Sequence, residues 1–263
     1  MGRMEGKAAL ITGGTTGLGL AIAERYLDER ARVVITGRNR DLGRAAEARL
    51  REHGDAWFLQ ADAADRDAVV ASVDETVSLV GSLDVLVNNA GIGVSARTLD
   101  TPDEDFDRVM AVNVRGYFLY AKTAYPHLRA RRGCMIHISS DAGVLGEQMI
   151  GVYSISKAAV ITLSNMLAMD GGPDGVRSNC ICPGDILPGM RHMGQPGMDR
   201  PEDDDPSSWH LPPIGRIGEA ADVAGAALFL ASEDAAFCNG VNLLVDGGMR
   251  AGYNAGRWPG DRG

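Results

Sequence analysis

Lys7 to Leu27 reads KAALITGGTTGLGLAIAERYL, and this stretch decides the fold. Residues 8–12 are a short apolar run without polar alternation, the pattern of a strand covered on both faces. Gly13, Gly17 and Gly19 follow in a T-G-x-x-x-G-x-G spacing, a variant of the G-x-G-x-x-G dinucleotide fingerprint. Glycines there let the backbone approach a phosphate. The helix that opens after them offers unpaired N–H groups and the positive end of its dipole. A glycine loop also makes ordinary tight turns, but its place between the first strand and the first helix favours the cofactor reading.

Apolar runs of this kind recur and alternate with helix-like segments. The strand candidates are residues 8–12, 31–37, 56–61, 83–89, 134–139, 176–182 and 241–247. Periodic, helix-like stretches fill 17–29, 39–53, 65–80, 103–130, 152–170 and 219–232. This alternation predicts right-handed βαβ crossovers and an α/β fold: a doubly wound, Rossmann-type parallel sheet of about seven strands with helices on both faces. At 263 residues and 45% hydrophobic content, a single domain over 1–263 with one large core is expected. Residues 185–215 break the pattern, holding six of the eleven prolines, several methionines and the acidic run Glu202–Asp205. A loop that long after a strand end is expected to be a substrate lid, with a solvated surface insertion as the alternative.

A formal net charge of −9 disfavours nucleic acid and an anionic membrane surface as partners. MGRMEGK leads into the first strand without a signal-peptide pattern. No apolar run is expected to reach the roughly 18–20 residues of a membrane span. Cys134, Cys180, Cys182 and Cys238 lack zinc-ligand spacing, and the histidines are scattered. Free buried thiols, no metal site and a cytoplasmic location are the expectation.

Ser140, ending CMIHISS, and Tyr153 and Lys157 in YSISK carry the chemistry. Four apart on a helix, Tyr153 and Lys157 share one face. A phenol whose pKa is about 10 is a poor acid or base near neutrality. A close ammonium stabilises the phenolate and lowers that pKa. Ser140 could hold a substrate oxygen beside the phenol, so the three would move a proton on and off an alcohol or carbonyl oxygen. Taken alone, Y-x-x-x-K more plainly suggests a half-buried aromatic and a solvated charge.

Taken in order, TGGTTGLG at 12–19, Asp62 in LQADAAD, NNAG at 88–91, Asn113 in MAVNVRG, Ser140 in HISS, YSISK at 153–157 and Pro183-Gly184 resemble the short-chain dehydrogenase/reductase family. The resemblance runs from about Met4 to Met249. It implies an oxidoreductase that transfers hydride between a nicotinamide cofactor and a ketone, aldehyde or secondary alcohol. Tyr153 would be general acid in reduction and general base in oxidation. Lys157 would lower the tyrosine pKa and hold the nicotinamide ribose. Ser140, selected over Ser139 by the offset to Tyr153, would orient the reacting oxygen, and Asn113 would hold a water linking Lys157 to solvent. The resemblance places cofactor contacts at Gly13, Thr15, Thr16, Gly17, Leu18 and Gly19 in the loop, and at Arg38. Further contacts fall at Asp62 and Ala63, at Asn89, Ala90 and Gly91, and at Pro183, Gly184 and Ile186. Asp62 would accept from the adenine amino group, and Asn88 either stabilises the sheet or touches the cofactor. The family commonly forms dimers and tetramers through helices equivalent to 103–130 and 152–170. A cofactor-bound epimerase or isomerase and a non-catalytic nucleotide sensor are the alternative functions on this fold.

Cofactor choice rests on VVITGRNR. Gly37 stands where the family's NAD enzymes carry an acid, and Arg38 follows, suited to a 2′-phosphate. NADP(H) is favoured. NAD(H) is the alternative, because Thr15 and Thr16 replace a basic residue many NADP(H) members carry. Small-molecule substrate is expected between 94–97, 146–150 and the lid, with Val94, Gln148, Met149, Met190, Arg191 and Trp209 lining a mostly apolar cavity. Arg191 would meet an anionic group, or pair on the lid with Asp199 or Glu202. Pro188 replaces a threonine often used at the nicotinamide carboxamide, leaving that contact to the backbone near Ile186.

Overall fold

The apolar run Ala8–Thr12 forms strand β1, with all five residues buried. A computed structural model describes residues 2–187 and 211–252, and its elements alternate as the sequence predicts. Helix α1 (Gly17–Asp28) leads to β2 (Arg32–Gly37), α2 (Arg40–Leu50) to β3 (Ala56–Gln60), and α3 (Arg66–Val80) to β4 (Val85–Asn88). Helices α4 (Asp103–Met110) and α5 (Tyr117–Arg131) precede β5 (Cys134–Ile138), and α6 (Gly151–Gly171) precedes β6 (Arg177–Pro183). Then come β7 (Ile186–Leu187), β8 (Gly218–Glu219), α7 (Ala220–Ala231) and β9 (Asn242–Val245).

Seven strands form one parallel sheet in the order β3-β2-β1-β4-β5-β6-β9. The winding reverses between β1 and β4, and the carboxyl ends of those strands open the crevice where such sheets bind ligands. Alternate side chains of each strand serve opposite faces. Ile11 and Ile35 pack with Ile22 and Tyr26 of α1 and with Val223 and Leu228 of α7. Leu10 and Val34 pack with Val73 of α3 and with Tyr120 and Leu128 of α5. Burial on both faces is why these strands show no polar alternation.

Two features depart from the sequence pattern. The helix predicted over 103–130 is interrupted by a π-helical turn, Ala111–Gly116, which carries Asn113. Gly116 lets that turn come close to the chain after β3, since a Cβ there would lie 2.7 Å from the Ala63 carbonyl oxygen. Such turns recur at functional sites, and a regular 3.6-residue period does not announce them. Strands β7 and β8 also pair in parallel, Ile186 with Gly218 and Leu187 with Glu219. They clasp the start of the predicted lid to the chain just before α7. The rest of that lid, residues 188–210, lies outside the described residues.

Helix α6 with the turn after it, Gly151–Asp174, is long and apolar enough by composition to cross a membrane, contrary to the expectation that no run qualifies. Its Val160 packs on Cys180 and Cys182 of β6, and Val152, Ser164 and Ala168 are buried, so its apolarity serves the core.

Candidate active site

Thr12 and Asn89 build the floor of the crevice. The Thr12 hydroxyl accepts from the N–H groups of Asn89 (2.9 Å) and Ala90 (3.0 Å). The Asn89 amide donates in return to the carbonyls of Thr12 (2.9 Å) and Gly13 (3.0 Å). Gly13 has φ +63°, and a Cβ there would lie 2.8 Å from Ala90 Cα. A Cβ on Gly19 would sit 2.5 Å from the Gly13 carbonyl oxygen, so Gly19 serves the packing of α1 on the turn and is not part of the cavity wall. Gly17 does line the cavity, has φ +56°, and a Cβ there would meet nothing within 4 Å. Thr16, the N-cap of α1, makes no side-chain capping bond, which leaves the first-turn N–H groups for an anion.

Helix α6 brings Tyr153 and Lys157 to the inner end of the same cavity, 7% and 2% exposed. The Lys157 ammonium donates to the Ile138 carbonyl at 2.8 Å and lies 5.5 Å from the centre of the Tyr153 ring. Burial pulls the Lys157 pKa down to about 8, against the opposing pull of Cys180 and Cys182. Burial pushes the Tyr153 phenol up to about 12; a hydrogen bond with Ser140 opposes this, while Asp141 and Glu147 add to it. Desolvation therefore outweighs the stabilisation of phenolate that the four-residue spacing suggests, and Tyr153 stands as the protonated acid at neutral pH.

Ser139 and Ser140 divide the work. Ser139 donates to the Lys157 carbonyl at 2.7 Å, fastening β5 to α6. Ser140 donates to Asp141 Oδ1 at 3.2 Å and accepts from the Ala142 N–H at 3.2 Å, and its hydroxyl works to lower the Tyr153 pKa. Asn113, fully buried, donates to the Ile92 carbonyl (2.8 Å) and the Ser156 hydroxyl (2.9 Å) and accepts from the Ile92 N–H (2.9 Å). It sits behind the cavity wall and pins the loop after Gly91 to α6. A Cβ on Gly91 would lie 3.4 Å from Lys157 Nζ and 3.5 Å from Asn113 Oδ1, so that glycine occupies the gap between the two side chains.

At the other end, Asn39 caps α2 by accepting from the Asp41 and Leu42 N–H groups at 2.9 and 3.0 Å. Arg38 lines the cavity, and among the described residues its guanidinium has no hydrogen-bond or ion-pair partner. A Cβ on Gly37 would lie 2.6 Å from Thr15 Cγ2, so Thr15 covers the place where an acid would project. Asp65 caps α3, which leaves Asp62 to the cavity wall with one oxygen accepting from the Ala64 N–H at 2.9 Å.

The cavity encloses about 940 Å³. Arg38, Asp62 and Ala63 line one part, Gly13, Thr15, Thr16, Gly17 and Leu18 another, and Asn89, Ala90 and Gly91 the floor. Pro183, Gly184 and Ile186 close it beside Ser140, Tyr153 and Lys157. Asn88 belongs to the sheet instead: fully buried, it donates to the Tyr117 carbonyl at 3.1 Å. The described cavity wall includes Ile92, Ser95, Asp141, Glu147 and Ile150, while Val94, Gln148 and Met149 are not among the described lining residues. Ala96 and Ile150 form a parallel bridge, and Met149, in the left-handed region at φ +66°, stands half-exposed. Met190, Arg191, Trp209 and Pro188 lie outside the described residues. Ser95, Glu147 and Ile150 fall within the predicted wall segments 94–97 and 146–150, whereas sequence reasoning missed Asp141; the available signal was an acid directly after Ser140.

A dinucleotide fits these residues: the glycines leave open backbone where it must approach, and the uncapped α1 terminus suits its pyrophosphate. Residues 13–250 match the family model described as enoyl-(acyl carrier protein) reductase. The chain is 38% identical to L-fucose dehydrogenase of Mus musculus, covering 95% of this chain and 91% of that protein. It is 35% identical to meso-2,3-butanediol dehydrogenase of Serratia marcescens, over 95% and 96% of the two chains. With 2-(R)-hydroxypropyl-CoM dehydrogenase of Xanthobacter autotrophicus the identity is 38%, over 93% and 99%. The chain belongs to the short-chain dehydrogenase/reductase family. It is a nicotinamide-dependent oxidoreductase of alcohols and their carbonyl counterparts.

Gly17→Ala tests the cradle. The new methyl meets open space, so stability should fall only by about 1–2 kcal/mol for the left-handed backbone. Affinity for the nicotinamide cofactor, read by fluorescence titration, should fall by about tenfold or more. Unchanged affinity would remove Gly17 from the cofactor site.

Proposed function

We propose that the chain transfers hydride between NADP(H) and a ketone, aldehyde or secondary alcohol, with Tyr153 as acid and base. The observation that carries this reading is the meeting of Ser140, Tyr153 and Lys157 in the cavity that also holds the glycine cradle. The bound nicotinamide supplies or accepts the hydride. Thr15, Thr16, Gly17 and Leu18 would hold the pyrophosphate, Asp62 and Ala63 the adenine, and Lys157 the ribose. Gly13, Asn89, Ala90 and Gly91 would form the floor, with Pro183, Gly184 and Ile186 at the carboxamide end.

In reduction, Tyr153 gives its phenolic proton to the carbonyl oxygen while Ser140 donates a hydrogen bond to the same atom. Lys157 stabilises the phenolate left behind. Asn113 holds Ile92 and Gly91 in place beside Lys157 and orders the path by which the proton is replaced. Oxidation runs the same proton in reverse. The substrate would lay an apolar face on Ile92, Ile150 and Ile186 and present polar edges to Ser95 and Glu147.

The preference for NADP(H) follows from Arg38 and Gly37. A guanidinium with no partner among the described residues, at that end of the cavity, suits a 2′-phosphate, and Thr15 fills the space an acid at position 37 would need. We also infer a homo-oligomer through α5 and α6, because Phe118, Ile155, Met166 and Met169 stand exposed on those helices. The four free thiols, three of them buried, suit a reducing cytoplasm, where we place the protein.

Tyr153→Phe should lower turnover about a thousandfold while leaving cofactor affinity within a factor of about two. In the wild type, the raised phenol pKa keeps the acid form at neutral pH. Reduction should therefore hold up through neutrality and fall only at alkaline pH, whereas oxidation should climb as pH rises. Near-normal turnover in Tyr153→Phe would refute the assignment. Arg38→Ala should weaken NADPH binding by about tenfold, roughly 1.4 kcal/mol, with little change for NADH. Equal weakening of both cofactors, or of neither, would remove Arg38 as a phosphate reader. Light scattering should give a multiple of 27.8 kDa; a mass of 27.8 kDa would contradict the oligomer.

A further inference from the structure

Arg250 reaches the active site from the far end of the chain. After β9, Asp246 accepts from the N–H groups of Gly248 (2.9 Å) and Arg250 (2.8 Å), which fixes the backbone of Arg250. Gly184 lets this turn sit against the cavity wall, since a Cβ there would lie 2.9 Å from Asp246 Cβ. The Arg250 side chain donates through Nε to Asp141 at 3.0 Å and lies 3.9 Å from the Glu147 carboxylate. The pair is largely shielded from water, with 20% of the Arg250 side chain and 9% of the Asp141 side chain exposed. The other Asp141 oxygen is 3.2 Å from the Ser140 hydroxyl, and both Asp141 and Glu147 line the cavity with Tyr153.

We propose that Arg250 is a positioning residue for the reaction: by pairing with Asp141 and Glu147 it offsets their charge beside the Tyr153 phenol and holds the Ser140 turn in place. This rests on Tyr153 being the acid and base. Two carboxylates beside the phenol oppose formation of a phenolate, and a guanidinium bonded to Asp141 and close to Glu147 cancels part of that opposition. The pair's burial keeps salt from screening the effect.

Among the described residues, the other charged or titratable groups around Tyr153 are as follows. Lys157 shares α6 with it and Tyr117 approaches from α5, its own phenol held neutral by burial. Cys180 and Cys182 of β6 lie nearer Lys157, and His137 of β5 is neutral, its pKa pulled down to about 3 by burial. Asp185 lines the same cavity from the segment after β6. Asp141 and Glu147 are the carboxylates that raise the Tyr153 pKa, and Arg250 is bonded to the first and close to the second.

The test is the pH dependence of kcat/KM for alcohol oxidation in the full chain. Asp141→Asn should move the alkaline midpoint down by about one unit, and the exposed Glu147→Gln should move it the same way by less. Arg250→Met should move it up by about one unit, and Arg250→Lys should restore part of the shift. A purely structural ion pair would change stability or turnover in both partners alike, without moving the midpoints apart. Midpoints that stay put, or that shift in one direction for Asp141→Asn and Arg250→Met, overturn the proposal. Should Arg250→Met fail to fold, Arg250→Gln decides: an upward shift supports the proposal and an unmoved midpoint overturns it. Tyr153→Phe in the same assay separates the two levels. Retained turnover there would sink the acid–base reading and this inference with it. Lost turnover with unseparated midpoints would sink this inference alone.

Discussion

The four hydrogen bonds that join Thr12 to Asn89 and Ala90, and Asn89 back to Thr12 and Gly13, lock β1 to β4 where the winding of the sheet reverses. Every other part of the site takes its place from that junction. It sets the glycine turn at a φ that favours glycine, seats α1 so that its first turn meets the crevice, and holds the loop on which Gly91 and Ile92 carry the chain past Asn113. The sheet then delivers Ser140 from the next strand and Tyr153 from the helix that follows it. A dinucleotide site and a proton-transfer site thus share one cavity because they hang from adjacent strand ends.

Burial sets the chemistry at the inner end. Tyr153 and Lys157 both lose solvation, and each is pushed toward its neutral form, the phenol up to about 12 and the ammonium down to about 8. Ser140 works against the first shift and Asp141 and Glu147 work with it. The balance between a buried phenol and the charges around it is therefore tuned by groups outside the YSISK motif. Arg250 enters the reaction through that balance.

Much of the fold was legible because buried parallel strands write themselves as unbroken apolar runs. The seven predicted strands and the helices between them are present, with ends that move by one to three residues. The π turn at Ala111–Gly116 was not legible, since it keeps a helical hydrophobic period while shifting the direction of Asn113. The glycine cradle and the Ser140–Tyr153–Lys157 group could be read from local spacing. The wall segments 94–97 and 146–150 could be read too, but not that Ser95 and Glu147 rather than Val94 and Gln148 line the cavity, because that depends on the bridge between Ala96 and Ile150, a contact between distant segments. The pairing of Asp141 with Arg250, 109 positions apart, was hidden for the same reason.

The central claim is that hydride passes directly between substrate carbon and bound nicotinamide while the protein handles only the proton. An alcohol deuterated on its carbinol carbon, oxidised by the purified protein with NADP⁺ or NAD⁺, tests this directly. The account predicts one deuterium in the reduced cofactor for each carbonyl formed and none released to water. Deuterium appearing in the solvent, or carbonyl formed without label in the cofactor, would contradict it.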